Sequence, residues 1–436
     1  MKLGNLLPPT DAYWATIFFP ALLGYLVLLQ AAMNRRPVLG SVERLQPSVL
    51  NTLLAPDAQL EIIAEGNLWA EGPLWVSDED SADGGFLLWS DVKKNLIYRW
   101  EEGGGLFTIG RSVFLKESGC RPSLSPLASG GETETKDGSS SSDERCSDGI
   151  CGDDVARCAT LREPGSNGLA LEPGSGLVVM CEHGERRVSR LEANGSFTPL
   201  ATHYQGRRLN SPNDLVFGPG GDLYFTDPPY GLNGLDADPA RELERFGVYR
   251  VSKEAMEQQA VSSARGSAEV QLVFDGLKRP NGLAFSPDFT HLYVGDSDAE
   301  DPHWAVFEMD ASTGLVKGEE GARVFADARA YQERDDAGGE TRIGNPDGLK
   351  VDEYGNIWAT GPGGVLIFSP QGERLGTILT GKKTGNVAFG GKEKSRGGKG
   401  MFLYVCANDV VARIPILVRP APSPPMKRVV EETSRS

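Results

Sequence analysis

The chain has 436 residues and a formal net charge of −16, from 60 acidic and 44 basic side chains. That balance excludes a nucleic-acid binder, which needs basic surface to displace counterions from phosphate. The length allows a large core in one or two domains, and 54 glycines and 28 prolines with charge spread along the chain indicate a turn-rich all-β protein.

The amino terminus reads "YWATIFFPALLGYLVLLQAA" from Tyr13 to Ala32, about twenty residues without a charge, the length of a bilayer span. Residues 1–32 are expected to form a hydrophobic helix, a membrane anchor or a secretory signal. A signal peptide normally has a shorter apolar centre and a more basic start than Lys2 supplies. The lack of a polar face argues against a buried core helix. The expected localisation is the membrane, through residues 13–32, or the secretory pathway. Arg35 and Arg36 after the apolar run favour a cytosolic carboxy side. Asn194-Gly195-Ser196 is a glycosylation sequon in a luminal domain and a plain turn otherwise.

Residues 33–56 read as a linker. From 57 to 417, short β-type runs alternate with turn signals. Glu117 to Pro164 interrupts them with "ASGGETETKDGSSSSDERCSDG", rich in Ser, Gly and acid, and reads as a disordered insertion. The tail, 418–436, reads the same way. Cys120, Cys146, Cys151 and Cys158 fall in or beside the insertion, while Cys181 and Cys406 sit in apolar strand-like runs. The four are not spaced as zinc ligands. Local disulfides and free thiols both stay open.

Within 57–417 one unit recurs: a polar head, a short apolar run, a turn and a second apolar run. "EGPLWVSDED…GFLLWSD" starts at Glu71, "NGLALEPGSGLVVM" at Asn167, "NDLVFGPGGDLYFTD" at Asn213, "NGLAFSPDFTHLYVGD" at Asn281 and "DGLKVDEYGNIWAT" at Asp347. A degraded copy, "GNVAFGG…MFLYVCAND", has its polar residue at Asn386. Six copies spaced like propeller blades predict an all-β, six-bladed β-propeller.

In a propeller the inner strands line a central channel, so heads at one height form a ring: Glu71, Asn167, Asn213, Asn281, Asp347 and Asn386. It offers carboxylates and amide carbonyls and no His or Cys. Such donors select one hard divalent cation, Ca²⁺ first, with Mg²⁺, Mn²⁺ or Zn²⁺ as substitutes. Asn-Gly and Asp-Gly are also ordinary turn dipeptides, but here the polar residue opens a strand rather than closing a hairpin.

The stretches "EGPLW", "CEHGERRV", "LNSPNDLVF", "YFTDPPYG", "RPNGLAFSPD", "NPDGLKVDEYGNIW" and "TGNVAFGG" resemble the gluconolactonase, senescence marker protein (regucalcin) and luciferin-regenerating enzyme family, nearest its bacterial gluconolactonase branch. The resemblance implies a six-bladed propeller with one divalent metal in the channel. It implies metal ligands at Glu71, Asn281 and Asp347, with Asn213 next to the metal or substrate and Asp347 as general base. The animal regucalcin branch has an Arg two residues before that Asn, where this chain has Ser211, so that branch's sugar preference does not transfer.

The reaction expected is metal-assisted lactone hydrolysis. The cation would stabilise the developing oxyanion, Asp347 would activate the nucleophile, and Asn213 and Asn281 would position the carbonyl. Asn167, His183, Ser211 and Tyr230 are the candidate substrate contacts. His183 is equally a hydrogen-bonded histidine at a strand end, and Tyr230 a packed loop aromatic. The expected partner is a small-molecule lactone. The alternatives are a phosphoester or organophosphate hydrolase at the same metal, and a non-catalytic calcium-binding propeller. "GGKEKSRGGKG" lacks the strand–loop–helix context of a phosphate cradle.

Overall fold

The computed structural model describes residues 36–78, 84–102, 110–121, 158–261, 268–318, 321–333, 341–391 and 400–422. The hydrophobic segment 1–32, the centre of the insertion and residues 423–436 of the tail lie outside the described residues. Among the described residues no helix is long and apolar enough to cross a membrane.

Six antiparallel sheets follow one another along the chain as six propeller blades. Blade 1 runs Ala70–Ser77, Gly85–Asp91, Leu96–Trp100 and Arg111–Lys116. Blade 2 runs Ser166–Leu171, Val178–Glu182, Arg187–Leu191 and Phe197–Ala201. Blade 3 runs Leu215–Phe217, Leu223–Thr226, Val248–Val251 and Gln271–Phe274. Blade 4 runs Pro280–Phe285, His291–Asp296, His303–Asp310 and Ala322–Asp327, with Leu315–Val316 also paired to its third strand. Blade 5 runs Leu349–Val351, Ile357–Gly361, Gly364–Phe368 and Arg374–Leu379. Each blade is covered on both faces by its neighbours, so its middle strands are apolar runs rather than alternating ones. Gly364–Phe368, "GVLIF", is buried throughout.

Blade 6 closes the ring. Asn386–Gly391, Met401–Ala407 and Val410–Pro415 come from the carboxy end, and the outermost strand, Glu61–Glu65, comes from the amino end. Glu61 pairs with Arg413 and Glu65 with Val410, antiparallel. Sharing one blade between the two ends of the sheet series removes the exposed edge that an open array would leave.

The reading of 33–56 as a linker is corrected. Ser41–Arg44 adds a fifth strand to blade 5, pairing Ser41 with Leu379 and Arg44 with Gly376. A seven-residue helix follows, Pro47–Leu53. It buries Leu50, Leu53 and Leu54 with Trp358, Leu375 and Ile378. Full burial of each leucine is worth about 1.5–3 kcal/mol. Elements this short fall below the window in which periodicity shows.

The feet of the insertion are ordered as well. A disulfide joins Cys120 to Cys158, while Cys181 and Cys406 are buried free thiols. Cys146 and Cys151 lie outside the described residues.

Candidate active site

The polar heads leave the regular ladder where they meet the channel. Register breaks between Glu71 and Leu74 in blade 1, between Ser166 and Leu169 in blade 2, and between Pro280 and Leu283 in blade 4. In blades 3 and 5 the inner strand starts only at Leu215 and Leu349, after Asn213-Asp214 and Asp347-Gly348. Such irregularities re-aim side chains beside active sites. Asn386 alone stays in register, opposite Cys406.

Hydrogen bonds to backbone carbonyls then link neighbouring heads. Ser90 Oγ donates to the Asn167 carbonyl at 2.8 Å. Gly168 N–H donates to Asn213 O at 2.7 Å, Gly282 N–H to Asp347 O at 3.2 Å and Gly348 N–H to Gly385 O at 2.7 Å. Thr226 Oγ1 donates to Asn281 O at 2.8 Å. The glycine after a head is what permits the approach. Gly72 has φ +52°, and a Cβ there would lie 2.0 Å from Asn167 O. With the carbonyls engaged in the ring, the head side chains are left for the channel.

Two of those side chains, Glu71 and Asp347, are acidic and lie near a third carboxylate, Asp214. Glu71 is buried and takes one backbone hydrogen bond, from Gly72 N–H at 3.1 Å. Burial, then the nearby charge of Asp214, lift its carboxyl to about 8. Burial, then Glu71 and Asp214, push Asp347 well above the usual carboxylate range, although Asn281 donates to it. Among the described residues neither Glu71 nor Asp347 has an ion-pair partner. Asn386 Nδ2 donates to Asp214 Oδ2 at 3.1 Å, and Lys350 Nζ stands 3.9 Å from the same oxygen. Among the described residues the buried Asn167 Oδ1 has no hydrogen-bond partner. Among the described residues no group of three His, Cys, Asp or Glu is disposed to hold a metal, so a cation here would rely on amide oxygens beside two carboxylates. The residues fit a hard cation on that basis. Adjacent carboxylates in low dielectric ionise together only when a positive charge compensates them.

The remaining predicted contacts lie around this group. Ser211 is buried with its hydroxyl spent on backbone: Oγ donates to Pro228 O at 2.6 Å and accepts from Gly231 N–H at 2.9 Å. It fastens the loop that carries Tyr230. The Tyr230 hydroxyl bonds Ser297 close enough to Asp347 to feel its charge, and burial pushes it up. Ser297 Oγ also accepts from Asn281 Nδ2 at 3.0 Å. His183 is fully buried and stands beside Gly231, where a Cβ would meet its own Cβ at 2.7 Å.

Three residues were missed by sequence reasoning. Asp214 was passed over for its neighbour Asn213, although both belong to the quoted "ND" pair. Asp227 pins the "NSPND" loop through its carboxylate: Oδ2 accepts from Asn210 N–H at 2.7 Å and Oδ1 from Ser211 N–H at 2.8 Å. Burial, working against these bonds, lifts its carboxyl to about 7. Glu163 lies in the stretch read as insertion, and its Oε2 is 3.1 Å from His183 Nδ1. Nothing local in the sequence marked it.

A family model described as "SMP-30/Gluconolactonase/LRE-like region" matches residues 69–396. A gluconolactonase from Zymomonas mobilis is 33% identical over 390 residues, covering 88% of this chain and 89% of its own length. Among solved structures, a Xanthomonas campestris gluconolactonase is 25% identical with a TM-score of 0.59, covering 88% of this chain and 98% of that one. A calcium-binding regucalcin from Agrobacterium tumefaciens, 18% identical with a TM-score of 0.51 over 84% of this chain and 96% of its own, shares the fold. On this evidence the chain belongs to the SMP-30/gluconolactonase/LRE-like family.

Proposed function

We propose that this protein is a divalent-metal-dependent hydrolase that opens sugar or related lactones. The observation that carries the reading is the convergence of Glu71 and Asp347 in a closed ring of amides, their carboxyls held above the usual range by burial and by the charge of neighbouring carboxylates, Asp214 among them. Family membership and the gluconolactonase likeness support the ester class.

Glu71, Asn213, Asn281 and Asp347 would hold the cation, Ca²⁺ first by donor type. When bound it would supply Lewis-acid polarisation of the lactone carbonyl. Asp347, as the carboxylate, takes a proton from the attacking water and returns it to the ring oxygen as the acyl C–O bond breaks. Asn213, its backbone fixed in the ring, orients the carbonyl, while the Asn281 amide holds Asp347 and Ser297. Tyr230 and Ser297 close the side of the site nearest Asp347, where the Tyr230 hydroxyl keeps its proton and can donate it in a hydrogen bond.

The deciding experiment uses the purified chain, stripped with chelator and given Ca²⁺, Mg²⁺, Mn²⁺ or Zn²⁺ in turn, with D-glucono-1,5-lactone as substrate and Glu71→Gln as control. Restored hydrolysis absent from the control supports the reading. Thermal stabilisation by metal without turnover of any lactone would move it to a binding propeller, and turnover of phosphoesters alone to the other hydrolase class.

For residues 13–32 we keep the reading of a membrane anchor or signal. The Cys120–Cys158 disulfide supports passage through an oxidising compartment, and Asn194 lies exposed in a turn between the outer strands of blade 2. An endoglycosidase-sensitive mass at Asn194 would establish a luminal domain, and labelling of the folded domain from the cytosolic side would exclude one.

A further inference from the structure

We infer that Glu163, on the carboxy foot of the insertion, is a positioning residue: it holds the Nδ1 proton of His183 so that Nε2 accepts a hydrogen bond from a hydroxyl group of a polyhydroxylated lactone. The inference rests on the lactone reading above and adds to it a residue that selects for the hydroxylated face of the substrate.

His183 is fully buried, and among the described residues neither of its ring nitrogens has a hydrogen-bond partner. Buried polar atoms are nearly always paired, so an orphan against the loop that carries Tyr230 points to a ligand. Its Nδ1 lies 3.1 Å from Glu163 Oε2 without making a hydrogen bond to it, and such contacts commonly tighten when substrate binds. A neutral imidazole donates from one nitrogen and accepts at the other, and a carboxylate at Nδ1 decides which. Nε2 is then an acceptor, suited to a hydroxyl and not to a carbonyl.

The location fits this task. His183 stands against Gly231 and, with Ser211, flanks the loop that carries Tyr230. Glu163 is near enough to the acidic ring for its charge to act on both Glu71 and Asp347.

Glu163 is held on both sides. Arg162 N–H donates to Asn233 Oδ1 at 2.7 Å, and Asn233 Nδ2 donates to Thr160 O at 3.1 Å. Gly165 N–H donates to Val92 O at 2.8 Å. The Cys120–Cys158 disulfide joins the two feet. Gly184, next to His183, lies against Pro164 O and Cys120 Cβ, where a Cβ would come within 2.5 and 2.6 Å. A free acidic loop would leave a glutamate in water, whereas the Glu163 side chain is only 12% exposed.

The test compares the full-length, metal-supplemented protein with Glu163→Gln and Glu163→Asp on two substrates, D-glucono-1,5-lactone and δ-valerolactone, which has no hydroxyl groups. Glu163→Gln should raise KM for the sugar lactone about tenfold relative to its effect on valerolactone, whose kinetics report whatever the lost Glu163 charge does to Glu71 and Asp347. Glu163→Asp should recover part of the loss. As an independent readout, ¹⁵N NMR of histidine-labelled protein should show His183 protonated at Nδ1 in the wild type and lose that signature in Glu163→Gln. An equal loss on both lactones, or an unchanged KM with an unchanged His183 tautomer, would overturn the inference. If Glu163→Gln does not fold, Glu163→Asp and the wild-type tautomer decide. If the wild type hydrolyses neither lactone, it is the lactone reading that falls, and the tautomer measurement then decides Glu163's hold on His183 by itself.

Discussion

Gly385 and Glu71 are in contact at the closing point of the ring: a Cβ at 385 would stand 2.1 Å from Glu71 Oε1. The residue before the degraded sixth head therefore shapes the seat of the first. Gly385→Ala should displace the Glu71 carboxylate, the softest of the groups it meets. Over-packing of this kind costs about 1–3 kcal/mol. The expected result is a modest fall in melting temperature with a loss of kcat/KM of at least about tenfold. Wild-type kinetics in that variant would show that the position of Glu71 does not govern activity.

Removing divalent metal should lower the melting temperature and abolish lactone hydrolysis together. A ligand that binds only the native state stabilises it by about 2.7 kcal/mol at one hundred times its dissociation constant. Calorimetry across a Ca²⁺ titration checks the first half, and an activity assay on the same samples checks the second. A melting temperature indifferent to every cation would count against a site at the ring.

Asp227 gives a pH dependence with a definite sign. Its carboxyl is raised from 3.8 to about 7 in the folded protein, so the native state keeps a proton that the unfolded chain has released. That contribution is full below about pH 4 and is lost as pH rises through about 7, at up to about 1.4 kcal/mol per pH unit. Asp227→Asn has no such term. The stability of the wild type relative to this variant, measured by urea unfolding, should decrease steadily between pH 4 and 7. A constant difference would contradict the raised carboxyl.

Leu50 should behave as a core residue despite its place ahead of the propeller repeats. It is fully buried, and it lies so close to Gly376 that a Cβ there would stand 2.5 Å from its Cδ2. Leu50→Ala should cost about 2–5 kcal/mol, read as a lowered denaturation midpoint. A cost under about 0.5 kcal/mol, the range of surface substitutions, would mean that the helix Pro47–Leu53 is not part of the cooperative unit.

Ser211→Ala separates anchoring from substrate contact. Loss of the hydroxyl leaves Pro228 O and Gly231 N–H without their partner, a penalty of about 1–3 kcal/mol in stability. Because the loop carries Tyr230, activity should fall by a similar factor on every lactone tried. A loss confined to hydroxylated lactones would make Ser211 a direct contact instead.

The six-bladed plan was legible because each blade is a local unit that carries its own head, apolar runs and turn. Chain order alone then set the sequence of heads from Glu71 to Asn386, and their oxygen donors are the ground for proposing a hard cation. What stayed hidden is what depends on distant segments. The pairing of Glu61–Glu65 with Val410–Pro415 joins the two ends of the sheet series, and no local pattern encodes it. Ser41–Leu54 is too short to show a period, and its leucines acquire meaning only against Ile378 and Trp358. Asp214 stands next to Asn213 in the sequence, and only the turn of the chain there brings its charge to Glu71 and Asp347. Glu163 sits in a composition that reads as disorder, and it enters the site because a disulfide and a few backbone bonds hold the insertion's feet against blade 2. The sequence by itself determined the repeat and the chemistry of its heads. Tertiary structure decided which charges share the channel, since their repulsion and burial arise only when the ring is closed.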